Sequence, residues 1–217
     1  MQTRKKRLVT LKGTSKACVY AVTFASLMLG GENFHWDWRR SEELTYRQSL
    51  RRAKVSKTER AAIARAIANQ LRPDMWDLGI ESEQQLEDVA LETRVKMVDL
   101  NGDGISEVIA QGMGEHANCS PTGNCPFWIF QKSDHEYRLL FSMETIQAFT
   151  IERSRSDGFS DIVIATHGSG TQSGIRLLRY GEGRYHLAGC WSADWSVLEG
   201  GTVHELKEPR LTPCDER

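Results

Sequence analysis

The sequence predicts an α+β fold in which N-terminal helices precede a mainly antiparallel β-sheet of blade-like hairpin repeats. Two observations predict it. Capping signals and apolar residues at helical spacing occur before residue 92, and short β-type runs separated by turn residues follow it. The chain has 217 residues, 40% hydrophobic and 26% charged. This suits one domain, or one domain with an appendage, and argues against a collagen-like, coiled-coil or wholly disordered chain.

Residues 1–31 predict a signal peptide or an N-terminal membrane anchor. Their six charged residues are all basic and precede an uncharged, largely apolar stretch over residues 17–31. A basic region followed by a short apolar run is typical of a secretory leader. The alternative is a buried N-terminal element of a cytosolic protein, although a core element seldom follows such a block of cations. We therefore expect an extracytoplasmic protein, periplasmic or secreted, which stays anchored to the inner membrane if the leader is not cleaved.

The charge balance bears on which partners the protein can attract. The whole chain has a net charge of −1, from 28 basic and 29 acidic residues. Because six of the bases lie in the leader, residues 32–217 carry 22 bases against 29 acids, a net −7. Such a chain has no general attraction for nucleic acid, so no nucleic-acid partner is expected. Membrane contact is expected only through the N-terminal segment, if it stays uncleaved.

Residues 32–91 are predicted to be the helical segment. One candidate helix covers residues 41–54. A second begins with the capping box Ser56-Lys57-Thr58-Glu59, in which serine and glutamate each accept a hydrogen bond from the other's backbone N–H. It ends at Arg72-Pro73, and Ser82 caps a shorter third helix. The apolar face of the second helix follows an i, i+4, i+8 pattern: Ile63, Ile67 and Leu71.

Residues 92–217 are predicted to form the β-rich domain. Short runs of β-favouring residues are separated there by Gly, Asn, Asp, Ser and Pro. The candidate strands are Arg94–Val98, Glu107–Gln111, Phe127–Lys132, Tyr137–Ser142, Thr145–Glu152, Asp161–Thr166, Ile175–Tyr180 and Tyr185–Trp191.

The cysteine count agrees with export. Four cysteines follow the leader, and an even number permits two disulfides. Cys119 and Cys125 flank a turn-rich stretch that a bond would staple, and Cys190 and Cys214 would then tie the last strand region to the C-terminal tail. The alternative is a thiol zinc site with His116, but no C-x-x-C pair is present.

The sharpest motif is the nine-residue stretch from Asp99 to Glu107. Oxygen-bearing side chains stand at its positions 1, 3, 5 and 9, and glycine stands at position 6. Calcium binds six to eight oxygens, and alternation along a tight loop turns successive ligands inward. The sequence therefore predicts a Ca²⁺ site, with a polar turn capped by its own side chains as the alternative. The predicted ligands are Asp99, Asn101, Asp103, the Ile105 carbonyl and Glu107.

The context of this loop separates it from an EF-hand. Position 12, where an EF-hand carries an acid, is Ala110, and both flanks look like strands. A D-x-N-x-D-G-x-x-E loop between two strands resembles the calcium loops of the FG-GAP/VCBS (integrin-like) β-repeat family, over about residues 92–191. The resemblance implies a calcium-stabilised β-repeat and a binding or structural role. The family's usual final ligand is Asp, where this chain has Glu107.

A faint internal repeat supports this interpretation. The segment Asp103–Ile109 aligns with Asp157–Val163, and Tyr137–Leu139 aligns with Tyr185–Leu187. The second copy has Arg153 and Arg155 where the first has Asp99 and Asn101. Guanidinium groups cannot ligate a cation, so we expect the second copy to keep the turn without the metal.

The functional expectation is an exported, calcium-stabilised binding or structural module without catalytic activity. Its partner would be an unidentified protein or carbohydrate, the latter stacked on a patch of Trp191, Asp194 and Trp195. One alternative is a periplasmic hydrolase that uses the loop histidines His116 and His167. A further alternative is an extracytoplasmic enzyme inhibitor that presents the Cys119–Cys125 loop. The hydrolase alternative has no motif such as G-x-S-x-G or H-E-x-x-H to support it.

Overall fold

Helices and strands occupy separate parts of the chain, as the sequence predicts. The computed structural model describes residues 34, 36–44, 47–113, 117 and 119–214, apart from the Glu144 side chain. The predicted leader and His116 lie outside these residues. From Trp36 onward the chain forms one compact unit. The α+β class and the antiparallel sheets are confirmed.

Two α-helices form where the capping signals predict them. Helix α1 covers Lys57–Leu71 and α2 covers Glu83–Glu92. The Ser56 hydroxyl accepts from the Glu59 backbone N–H at 3.1 Å, and the Ser82 hydroxyl accepts from the Gln85 N–H at 3.2 Å. These bonds satisfy N–H groups that a helix start leaves without an internal partner.

The reciprocal half of the predicted capping box is not formed at Glu59. Its carboxylate accepts instead from the Tyr137 hydroxyl at 2.8 Å and the Lys132 ammonium at 3.0 Å. These contacts lower the pKa of Glu59, and the hydrogen bond from Lys132 has the largest effect. The side chain thus joins helix α1 to the sheet rather than to its own N-cap.

The predicted helix over residues 41–54 is wrong. The described part of this segment holds no α-helix: it has a short 3-10 turn at Leu50–Arg52, 3-10 geometry at Leu44, and two isolated β-bridges, Glu42 with Phe149 and Ser49 with Arg94. Its apolar positions are too sparse for a helical stripe, and its backbone pairs with the edges of strands instead.

In the part of the chain that the structure describes, nine strands form two antiparallel meanders, in which each strand pairs with its neighbours in sequence. The first sheet holds β1 to β4 and the second holds β5 to β9. Their bounds are β1 Arg94–Val98, β2 Glu107–Gln111, β3 Cys125–Ser133, β4 Glu136–Ile146, β5 Ala148–Ser156, β6 Phe159–Ser169, β7 Gln172–Gly181, β8 Arg184–Glu199 and β9 Thr202–Pro213.

Two strand predictions need correction. The candidate strand Thr145–Glu152 is split at Gln147, where the chain passes from the first sheet to the second. Strand β9 was not predicted, and β8 continues to Glu199, well past Trp191. Most of β9 is exposed, so it needs no alternating apolar residues to form.

Two apolar clusters form the core. One packs α1 and α2 against the first sheet, where Ile63, Ile67 and Trp128 are buried. The other joins the two sheets, and includes Phe127 of the first and Phe149 of the second, with ring centroids 5.6 Å apart. This second cluster lies beside the β1–β2 loop, because Leu100 in that loop is fully buried in it.

The two sheets share one pairing register in their first four strands. Pairs of β1–β2 recur in β5–β6 after 54 positions, as Val95↔Ala110 and Phe149↔Ile164. Pairs of β3–β4 recur in β7–β8 after 48 positions, as Phe130↔Leu139 and Leu178↔Leu187. A bulge recurs at the same place in both sheets, between Ile129 and Phe130 in the first and between Leu177 and Leu178 in the second. The pairs beyond it are Ile129↔Phe141 and Leu177↔Gly189. Measured between equivalent paired positions, the first sheet therefore has six more residues from its second to its third strand, because the pair Val108↔Phe130 corresponds to Ile162↔Leu178.

Candidate functional site

The candidate calcium loop connects β1 to β2, as the sequence predicts. Two glycines give it its shape, Gly102 with φ +80° and Gly104 with φ +84°. This left-handed region strains residues that carry a Cβ. Gly104 is position 6 of the motif, where the chain must reverse sharply.

The carboxylate of Asp99 holds the loop closed at its start. One oxygen accepts from the Gly102 N–H at 2.6 Å and the other from the Gly104 N–H at 2.9 Å. These bonds lower the pKa of Asp99, and the bond from the Gly104 N–H has the largest effect. The carboxylate is therefore ionised at neutral pH and turned toward the interior of the loop.

Asn101 and Asp103 complete the turn. The Asn101 side-chain oxygen accepts from the Asp103 N–H at 3.0 Å, and its amide donates to Asp103 at 2.8 Å. The other Asp103 oxygen accepts from the Ile105 N–H at 2.7 Å. These are the self-capping contacts of an Asx-type turn.

Glu107 lies beneath the loop and is only 1% exposed. Its carboxylate accepts from the Leu100 N–H at 2.8 Å. Burial, followed by repulsion from Asp103 and Asp99, raises the pKa of Glu107, although the Leu100 bond opposes this. The site thus holds a buried carboxylate that a nearby cation would stabilise in its charged form.

The donor set has the chemistry of a calcium site but is not drawn together as one. Within the part of the chain that the structure describes, no three His, Cys, Asp or Glu side chains form a group that could hold a metal. The loop oxygens instead bond to the loop's own backbone. Carboxylate and amide oxygens each have two lone pairs, so these bonds leave capacity for a cation. The residues fit Ca²⁺ in type and spacing.

The second sheet contacts this loop directly. The Arg155 guanidinium donates to the Asn101 carbonyl at 3.1 Å and to the Gly158 carbonyl at 3.0 Å. The Ser160 N–H donates to the Leu100 carbonyl at 2.8 Å. Arg155 stands 54 positions after Asn101, so the two residues occupy equivalent positions in the two sheets. The permanently charged Arg155 side chain thus contacts the residue of the first sheet that is equivalent to it. Contacts across 54 residues leave no local sequence signal.

The counterpart of Glu107 in the second sheet is Asp161, which is 2% exposed. It accepts from the Ser156 hydroxyl at 2.7 Å and pairs with Arg179 at 3.9 Å. Burial first, then the charges of Glu107 and Asp161, raises the pKa of the Tyr185 hydroxyl. Asp161 thus has a hydroxyl and a guanidinium as partners, whereas Glu107 has only a backbone N–H.

The predicted disulfides are confirmed. Cys119 bonds to Cys125 and Cys190 bonds to Cys214, with Cα atoms 4.2 Å and 5.4 Å apart. The zinc alternative therefore has no free thiols among these four. Two disulfides are typical of proteins that fold in an oxidising compartment.

The short disulfide loop is fastened to the second sheet by Asn124. Its side-chain oxygen accepts from the His167 N–H at 2.7 Å, and its amide donates to the His167 carbonyl at 2.8 Å. Asn124 is 7% exposed, so this part of the loop faces inward. Pro121, Thr122 and Gly123, at the tip of the loop, are exposed, so presentation of this loop to a target enzyme stays a prediction.

The hydrolase alternative gains no contact from the structure. No hydrogen bond or ion pair joins the imidazole of His167 to a carboxylate among the described residues. Ser169, its neighbour in sequence, only accepts from the Thr171 N–H at 3.4 Å. Because His116 lies outside the described residues, its position relative to His167 stays a prediction.

The tryptophans of the proposed carbohydrate patch are partly engaged in packing. Trp195 meets Trp36 and Trp38 edge to face, with centroids 6.2 Å and 5.3 Å apart. Its indole N–H donates to the Ser173 hydroxyl at 3.1 Å, and Asp194 accepts from Gln172 at 2.9 Å. This cluster fastens the start of the described chain to β8.

A cleft of about 500 Å³ lies beside the end of α1, and no sequence pattern predicts it. Its walls come from α1, the following turn and strands β3 and β4, which are too far apart in sequence for a local pattern. Of the described residues that line it, Asp74 is the one that can ionise; others are Leu71, Leu78, Trp128, Ser142 and Met143.

Comparison with known proteins gives no match to any family model, curated protein or solved structure. Among the described residues, neither helix has the length and apolar character needed to span a membrane.

Proposed function

We propose that this chain is an exported, calcium-stabilised binding or structural module without catalytic activity. The observation that carries the proposal is the β1–β2 loop, where Asp99, Asn101 and Asp103 surround a tight reversal above the buried Glu107. Three carboxylates in nine residues repel one another, and a divalent cation would remove that repulsion.

The proposal includes an origin for the two sheets. Each carries a diverged copy of one FG-GAP/VCBS-like hairpin repeat, of which only the first keeps its cation ligands. The shared register of the first four strands supports this, as does the contact of Arg155 with its counterpart Asn101. In the second copy, cationic and hydroxyl side chains replace the metal.

The proposed location is the periplasm or the extracellular medium, reached through the leader over residues 1–31. The two disulfides support an oxidising compartment. An uncleaved leader would hold the folded unit at the inner membrane. N-terminal sequencing of the exported protein distinguishes the two forms.

Calcium titration with thermal unfolding tests the proposal. Extracellular calcium modules often bind at about 10⁻⁴–10⁻³ M. At 10 mM Ca²⁺ we therefore expect the free energy of unfolding to rise by about 1.4–2.7 kcal/mol. The change Asp103→Asn should remove most of this gain. The matched control is Asp157→Asn, because Asp157 is the exposed counterpart of Asp103 in the second sheet.

Two outcomes would count against the calcium site. The first is a melting temperature that does not move at 10 mM Ca²⁺. The second is an equal loss of the calcium effect in both Asp→Asn variants, which would point to general screening of an acidic surface. Magnesium at the same concentration controls for ionic strength.

A further inference from the structure

The β1–β2 loop contains the one Asn-Gly pair in the sequence, Asn101-Gly102. A backbone nitrogen that follows asparagine can attack the side-chain amide carbon and close a succinimide ring. Glycine leaves this attack unhindered because it has no Cβ. Gly102 is exposed and has φ +80°, and Asn101 is half-buried. The reacting groups therefore lie where water reaches them.

The Asn101 side chain is held over the peptide bond that would react. Its oxygen accepts from the Asp103 N–H at 3.0 Å, which folds the side chain over the peptide between Asn101 and Gly102. Its amide nitrogen donates to the Asp103 carboxylate at 2.8 Å, which fixes the orientation of the amide. Negative charge develops on the side-chain oxygen when a nucleophile adds to the amide carbon. The Asp103 N–H is therefore placed as an oxyanion donor.

A carboxylate contacts the nitrogen that would attack. The Gly102 N–H donates to the Asp99 carboxylate at 2.6 Å. A general base must lie within hydrogen-bond reach of the proton that it removes, and this distance meets the condition. The folded loop thus already contains the proton acceptor that the reaction needs.

Arg155 of β5 binds the carbonyl oxygen of the same peptide. Its guanidinium donates to the Asn101 carbonyl at 3.1 Å, and a Cβ added to Gly102 would meet the Arg155 Nη1 at 3.3 Å. When the Gly102 nitrogen loses its proton, peptide resonance places part of the negative charge on this carbonyl oxygen. A permanently charged donor at that oxygen stabilises the anion and so lowers the barrier to attack.

We propose that the loop deamidates itself at Asn101. Asp99 takes the proton of the Gly102 nitrogen as this nitrogen forms a bond to the side-chain amide carbon of Asn101. The bond from that carbon to the amide nitrogen breaks, and the departing nitrogen takes up the proton and leaves as ammonia. Water then opens the succinimide. Attack at the side-chain carbonyl gives aspartate, and attack at the main-chain carbonyl gives isoaspartate.

Both products change the charge of the loop. Each adds one carboxylate beside Asp99, Asp103 and Glu107, and isoaspartate also inserts a methylene group into the backbone of the turn. The loop therefore becomes more acidic as the protein ages. The reaction needs only water and the loop's own groups, so it does not rest on the calcium proposal.

The test is peptide mapping by mass spectrometry of the folded full chain, incubated at neutral pH with a chelator. Replacement of the amide by a carboxylic acid raises the mass of the peptide that carries Asn101, and chromatography separates the two products. We expect conversion at Asn101, while Asn69, which precedes glutamine, stays intact in the same digest. A folded wild type that stays intact at Asn101 after the chain unfolded in urea has converted completely overturns the proposal.

A variant series tests the part assigned to the second sheet. The change Arg155→Met should slow conversion at Asn101 by about tenfold or more, because the anion loses its charged donor. Arg155→Lys keeps a cation and should retain most of the rate. The matched control is Arg153→Met, the same change at an exposed residue of β5, which should convert like the wild type.

The direction of the Arg155→Met effect separates promotion from restraint. If the guanidinium only held the loop still, its loss would free Asn101 and speed the reaction. An Arg155→Met rate equal to or above that of the wild type therefore overturns the proposal. Circular dichroism checks that the variant is folded, and if it is not, the outcome for the folded wild type decides.

Discussion

At the scale of single residues, Glu107 carries the clearest conflict in the molecule. It is buried beneath two further carboxylates and has a raised pKa, chiefly because of burial. The folded state then binds more protons than the unfolded state between the two pKa values of Glu107. Stability consequently falls as pH rises through that window. Asp99, with its lowered pKa, acts in the opposite direction at lower pH.

We predict that Glu107→Gln reduces this pH dependence in the absence of calcium. Glutamine keeps an oxygen for the Leu100 N–H but cannot ionise, so its advantage over the wild type should grow from pH 4 to pH 7. Urea unfolding with a chelator at several pH values measures it. Parallel stability profiles for the two proteins would contradict the prediction, and Asp157→Asn controls for the loss of an exposed carboxylate.

Residues near one another in sequence were the predictable part of the site. The loop ligands lie within nine positions, so their spacing alone predicted the turn. The contacts of Arg155 with Asn101 and of Asn124 with His167 cross between the sheets. No local pattern encodes such contacts, because they depend on how two separately formed hairpins dock.

At the scale of elements, the two disulfides close loops of different length. Cys190 and Cys214 are 24 residues apart, whereas Cys119 and Cys125 are 6 apart. A longer closed loop restricts the unfolded chain more. The Cys190–Cys214 disulfide also ties β8 to the end of β9, next to the hydrogen bond from the Cys214 N–H to the Cys190 carbonyl.

We predict that replacing Cys190 and Cys214 by serine costs about 3.5 kcal/mol of unfolding free energy. Replacing Cys119 and Cys125 should cost about 2.4 kcal/mol, from the loop lengths. Urea unfolding of both double variants measures the difference. A larger loss for the shorter loop would show that its bond acts mainly by holding Asn124 against β6.

The elements also show where sequence patterns fail. Helices α1 and α2 were predictable because their caps and apolar spacing are local. The helix predicted over residues 41–54 does not form, because pairing of this segment with Phe149 and Arg94 leaves no local pattern in the sequence. Trp76, in the turn that follows α1, is 71% exposed although tryptophan is usually largely buried. Composition does not reveal which side of a turn faces solvent.

At the scale of the whole molecule, the cluster between the sheets links their stabilities. It contains buried residues from both sheets, and Phe149, 1% exposed, lies against Phe127. Unfolding of either sheet would expose to solvent the buried residues of the other sheet. The sheets should therefore unfold together rather than one after the other.

We predict one cooperative unfolding transition, and a loss of about 3–5 kcal/mol for Phe149→Ala. Coincident curves from tryptophan fluorescence and far-ultraviolet circular dichroism test the cooperativity, because four of the six tryptophans either lie in β8 or contact Trp195 in that strand. Two separated transitions would contradict the prediction. The exposed Leu187→Ala serves as the control and should leave stability nearly unchanged.

The bridges of Glu42 and Ser49 set the order in which the chain can complete its fold. Ribosomes deliver the N-terminus first, but Glu42 exchanges backbone hydrogen bonds with Phe149, more than 100 positions later. The segment around Glu42 must wait until the second sheet has emerged. Closing such a distant contact is slow, so the earliest part of the folded unit to be synthesised is among the last to settle.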